Sequence, residues 1–113
     1  MTAAMTPHSD HLDLHEVARI CDRALSPPRR RPADGEVKDL TGRLHTALHA
    51  LALRVEATAA DRRGPKVNGA LRDLEGLRER GPSDGPFGAW TYMRALARVT
   101  RVFVAYLKTQ KTQ

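Results

Sequence analysis

Two histidine pairs, His11/His15 and His45/His49, have the spacing in this chain that comes nearest to chemistry. A separation of four puts both rings on one side of a helix, as a zinc or other transition-metal site needs. Two such pairs on two helices could close a four-nitrogen site. The remaining parts of a metal site are missing from the sequence. There is no Glu-x-x-His motif of the carboxylate-bridged bundles, and no glutamate inside either pair as in a His-Glu-x-x-His protease. Each pair flanks an apolar stripe, where histidine commonly edges a core. His11, His15, His45 and His49 are therefore weak metal candidates. No metal and no cofactor is expected.

Nucleophiles are equally scarce. Cys21 falls on an apolar helical stripe and reads as a buried thiol, because a reactive cysteine needs an electropositive, partly open setting. As the one cysteine, it excludes an internal disulfide. Ser9, Ser26 and Ser83 all fall at helix ends or turns. The stretch from Gly81 to Gly88 precedes a helix and could cradle an anion, but its two prolines remove amide donors and a turn with a cap explains it. No Walker loop, nucleophile elbow or dinucleotide fingerprint is present. The chain reads as not an enzyme on its own.

What stands out is the stretch from Gly85 to Gln113. It holds all five aromatic residues, Phe87, Trp90, Tyr92, Phe103 and Tyr106, together with Arg94, Arg98, Arg101, Lys108 and Lys111 and no acid. The chain has 19 Lys+Arg against 13 Asp+Glu, for a net charge of +6, and this last stretch carries most of the excess. At 100° per residue, Met93, Leu96, Ala97, Thr100, Phe103, Val104 and Leu107 share one face. Tyr92, Ala95, Val99, Val102 and Tyr106 carry that face round the far side. A surface helix shows an apolar arc a little over ~100° wide, and this one covers about twice that. Either three helices surround it or its second face meets another chain. The expectation is a partner face made of Tyr92, Val99, Val102 and Tyr106, since large apolar patches usually mark contacts.

The elements that must position this helix follow from punctuation and period. The 113 residues suit one domain, 1–113, with residues 1–8 and 110–113 frayed. Nothing alternates with period two, so no sheet is expected. Helix 1 spans about 10–25, capped by Ser9 or Asp10, with Leu14, Val17, Cys21 and Ala24 on one stripe. Residues 26–33, SPPRRRPA, predict a stiff extended linker. Helix 2 spans about 35–62, capped by Asp34, with a heptad-like seam through Val37, Thr41, Leu44, Leu48, Leu51, Val55 and Thr58. Helix 3 spans about 65–80, opened by Pro65 and stopped at Gly81-Pro82. Helix 4 spans about 85–109 and sits at the centre of the bundle. Short breaks predict helices 2, 3 and 4 as antiparallel neighbours. The opening residues lack a basic and then apolar leader, and the longest purely apolar run, Val102 to Leu107, is far too short to span a membrane. A cytoplasmic protein without membrane contact is expected.

The succession LTGRLHTALHALALRVEA, GALRDLEGLRERG and GPFGAWTYMRALARVTRVFVAYL, over residues 36–107, resembles a group of small helical proteins of unassigned function from GC-rich filamentous bacteria. Some of these are labelled natural product biosynthesis proteins. The resemblance implies a cytoplasmic accessory protein with no assigned active site.

These readings converge on an all-α bundle that binds protein, itself included, through helix 4. The alternative is a nucleic-acid-binding regulator that lays Arg94, Arg98, Arg101 and Lys108 along phosphates. A metal-binding bundle using the four histidines is the second alternative.

Overall fold

Asp13 starts the first helix. Its carboxylate accepts from the amides of His15 and Glu16 at 3.0 and 3.2 Å. Two of the donors that a helix N-terminus leaves open are thereby satisfied. The computed structural model describes residues 13–111. Four α-helices follow one another: α1 (Leu14–Ala24), α2 (Asp34–Glu56), α3 (Ala60–Arg80) and α4 (Gly88–Lys111). No strand occurs among the described residues, so the fold is the all-α arrangement of four helices that periodicity predicts. The expected caps Ser9 and Asp10 lie outside the described residues. Gln110 and Lys111, expected to fray, continue α4.

The Pro/Arg segment is not a plain extended spacer. Pro28–Arg30 make one 3-10 turn, closed by the amides of Arg30 and Arg31 donating to the carbonyls of Pro27 and Pro28 at 2.8 and 3.1 Å. Side chains from both neighbours pin it. Arg23 of α1 donates to the carbonyl of Arg30 at 3.2 Å and to both carboxylate oxygens of Glu36 at 2.6 and 2.7 Å. Arg94 of α4 donates to the carbonyl of Ser26 at 2.8 Å. Pro32 is buried. Asp34 is not the cap of α2. Ala33 holds that place without a side-chain bond, and Asp34 and Glu36 serve as acids in the first turn.

α2 ends at Glu56, short of the expected stop near Asp61 to Arg63, and Thr58 falls outside it. Residues 60–63 instead form the first turn of α3, set off from the rest of the helix by a kink at Gly64, with φ 85° and ψ 164°. Only glycine takes that backbone freely. Asn68 holds the turn in place. Its amide donates to the carbonyl of Ala60 at 2.9 Å, and its side-chain oxygen accepts from Arg63 Nε at 2.9 Å. Hydrophobic period carries no trace of such a polar clasp.

α4 starts at Gly88, after the turn 82–87, and not at 85. The turn folds back so closely that a Cβ on Gly88 would lie 1.9 Å from the carbonyl oxygen of Ser83. Once formed, α4 touches all three other helices. α1 also rests on α2. The sequential neighbours α2 and α3 make the slightest contact, and α1 and α3 have no Cα pair within 8 Å. The bundle is therefore organised round a hub and not as a series of adjacent hairpins. Met93, Leu96, Thr100 and Phe103 of α4 are fully buried against Leu44, Leu48, Leu51 and Val55 of α2, Leu74 of α3 and Cys21 of α1. The buried Thr100 hydroxyl is satisfied by donating to the carbonyl of Leu96 at 2.7 Å. Three neighbours account for most of the wide apolar arc of α4.

Candidate functional site

α1 and α3 both pack on α4 but bring no Cα pair within 8 Å of each other, and a concavity on α4 lies between them. The resulting groove has a volume of ≈ 610 Å³. Ala18, Cys21 and Asp22 of α1 form one wall, and Lys66 and Val67 of α3 form the other. Val102, Ala105 and Tyr106 of α4 lie between them. Val102 and Tyr106 are half-buried. The Tyr106 hydroxyl is buried and has no hydrogen-bond partner among the described residues.

The partner face expected on α4 is therefore smaller than its four residues suggest. Val102 and Tyr106 do line an open groove. Tyr92 and Val99 lie outside that groove and are only 8% and 5% exposed. The Tyr92 ring lies 5.8 Å from that of His45, and its hydroxyl is 3.3 Å from His45 Nε2. Their burial is achieved within one chain, so of the four residues only Val102 and Tyr106 remain half-exposed.

The basic stripe is divided in the same way. Arg94 reaches the Ser26 carbonyl, and its guanidinium stands 5.0 Å from the centre of the Trp90 ring. Arg101 donates to Asp22 of α1 at 2.7 Å. Arg98 and Lys108 are exposed and form no ion pair among the described residues. Half of the stripe thus fastens α1 and the linker to α4.

The three described histidines, His15, His45 and His49, do not form one cluster. His11 lies outside the described residues. His15 is exposed on α1, and His45 and His49 are exposed on α2, with His45 beside Tyr92. Among the described residues no three His, Cys, Asp or Glu side chains come together to hold a metal. Cys21 is fully buried. Burial pushes its thiol up to about 11, against the opposing pull of Arg101. At neutral pH it is a protonated core residue and not a nucleophile.

A second concavity was not foreseen from the residues. It lies at the amino end of α4 and has a volume of ≈ 590 Å³. Phe87, Trp90 and Tyr92 line it together with Arg31 and Pro32 of the linker and Val37, Lys38 and His45 of α2. Phe87 and Trp90 meet edge-on with ring centres 6.3 Å apart. The Arg31 guanidinium stands 4.8 Å from the Phe87 centre and 5.7 Å from the Trp90 centre. The signal available was the crowding of aromatics after Gly85. What it lacked was the fold of the linker, which brings Arg31 and Pro32 across to them.

The model of a family of unknown function (DUF6415) matches residues 15–112. The chain belongs to that family. The match takes in all four helices and the linker, so it extends beyond the 36–107 stretch that carries the sequence resemblance. No curated protein matches the chain, and no solved structure does. Among the described residues, no helix is long and apolar enough to cross a membrane.

Proposed function

We propose that this protein is a non-catalytic accessory protein whose outer groove on α4 receives an acidic amphipathic helix of a partner protein. One observation carries the reading: α1 and α3 flank α4 with no Cα pair between them within 8 Å, and Val102, Ala105 and Tyr106 lie between these two helical walls. A channel between two helices, floored by a third, is shaped for another helix, whose apolar anchors at i, i+3, i+4 and i+7 fit such a groove.

Charge selects the partner. Lys66 and Lys108 line the groove, Arg98 stands beside it on α4, and none of the three has an ion-pair partner among the described residues. The one acid of the groove, Asp22, is engaged by Arg101. An acidic helix is drawn to that rim and oriented by it. A second copy of the chain fits less well, because residues 85–113 contain no acid and two α4 faces would oppose like charges. Nucleic acid finds only Arg98 and Lys108 of the stripe without an internal bond, which favours a weak, salt-sensitive contact. The resemblance to proteins labelled for natural product biosynthesis adds a setting, in which the partner is a component of a biosynthetic machinery.

The test is co-purification from native lysate with and without nuclease, comparing the wild type with Val102→Glu and Lys108→Glu. A partner that both substitutions release, and that crosslinks to Lys66 through an acidic helical segment, supports the reading. A partner retained by both variants overturns it. Loss of the partner on nuclease treatment transfers the function to nucleic acid, and a doubled mass by light scattering transfers the groove to a second copy.

A further inference from the structure

We infer that the aromatic cavity at the amino end of α4 binds a small planar aromatic acid. This site lies at the opposite end of α4 from the groove, and the inference stands apart from the proposed partner. The cavity volume of ≈ 590 Å³ falls inside the ~300–1,000 Å³ range of pockets that enclose small molecules. Its walls favour a flat ring. Phe87 and Trp90 already stand edge-on to one another, and Phe87 remains 52% exposed, as one of two large apolar side chains so open among the described residues. A planar ligand stacked there would cover that ring in the offset or edge-on geometry that aromatic pairs prefer.

The polar groups decide the charge of the ligand. Arg31 and Lys38 line the cavity and form no ion pair among the described residues, against the single carboxylate of Asp34. A cationic ligand is disfavoured for a more specific reason. The place a cation would take over the Phe87 and Trp90 rings is held by the Arg31 guanidinium, at 4.8 and 5.7 Å. That guanidinium instead offers its planar fork to a carboxylate. Trp90 lines the same wall, and its indole N–H is buried without a hydrogen-bond partner among the described residues. Aromatic faces and a guanidinium free of ion pairs among the described residues together describe an aryl carboxylate.

Trp90 is the one tryptophan of the chain, so its indole N–H gives a single reporter in a nitrogen-proton correlation spectrum of the full-length protein. The probe is 2-naphthoate. Its controls are 2-naphthalenemethanol, which keeps the ring and loses the charge, and cyclohexanecarboxylate, which does the reverse. Saturable movement of the Trp90 signal is expected with naphthoate, with each control weaker by about tenfold or more. Arg31→Gln and Phe87→Ala, both at exposed positions, should each weaken naphthoate by a similar factor with unchanged circular dichroism. Val102→Glu should leave it unchanged, so loss of the partner and loss of the ligand are separable. No saturation at millimolar naphthoate overturns the inference. So does equal affinity for the neutral alcohol, or wild-type affinity in both variants.

Discussion

Arg101 of α4 reaches across to Asp22 of α1 and donates to its carboxylate at 2.7 Å, joining residues 79 positions apart. With side chains 53% and 70% exposed, the two groups are well hydrated. Such pairs contribute about 0.2–1 kcal/mol. In a double-mutant cycle with Arg101→Gln and Asp22→Asn, the coupling should fall in that range and fade in ~1 M salt, where the Debye length shrinks to about 3 Å. Chemical denaturation at two salt concentrations measures it. A coupling of several kcal/mol would mean that the pair holds α1 far more firmly than its exposure allows.

Two glycines should respond oppositely to alanine. Gly42 lies inside α2, and a Cβ there would meet nothing within 4 Å. Gly42→Ala should therefore raise stability by up to about 1 kcal/mol through helix propensity alone. Gly88 has no such room, because the Ser83 carbonyl oxygen would lie 1.9 Å from the new carbon. Gly88→Ala should lower stability by about 1–3 kcal/mol and move the turn 82–87, which Trp90 fluorescence would register. Urea titrations of both variants decide it; an equal response from the two would contradict the packing at Gly88.

The third prediction concerns acid. The side-chain hydrogen bond from Arg23 holds the Glu36 carboxyl below its ordinary value. A lowered folded-state pKa stabilises the fold above the unfolded value of about 4.3, and the contribution is lost as pH falls through the lowered one. Glu36→Gln should melt lower than the wild type at pH 7, and the gap should close in acid. Thermal melts at pH 7, 4 and 2 follow this directly. A gap that stays constant over that range would show that the charge of Glu36 is immaterial.

Much of the fold could be read from period and punctuation. Val37, Leu44, Leu48, Leu51 and Val55 recur along one face of α2, and all are buried. Val67, Ala70 and Leu74 do the same for α3. These are local regularities, and local physics sets them. The errors lie where distant groups meet. Asn68 reshapes the start of α3 by bonding Ala60 and Arg63. Tyr92 looks open on a helical wheel, yet His45, 47 positions earlier, stands against it. Arg94 looks like a solvated cation until Ser26, 68 positions earlier, is found beneath it. The aromatic cavity needed the linker to fold across α4, and the proline content of the linker suggested only stiffness. Of the proposed groove, Val102 and Tyr106 were legible as apolar residues left over; the walls on either side were not.

The central position of α4 also bears on how the protein is made. Synthesis runs from α1 to α4, yet each of the first three helices finds a principal partner in the last. While the ribosome is still adding residues 88–111, the apolar sides of α1, α2 and α3 have only one another to close upon, chiefly α1 on α2. The full core can therefore close only once nearly all of the described sequence has been made.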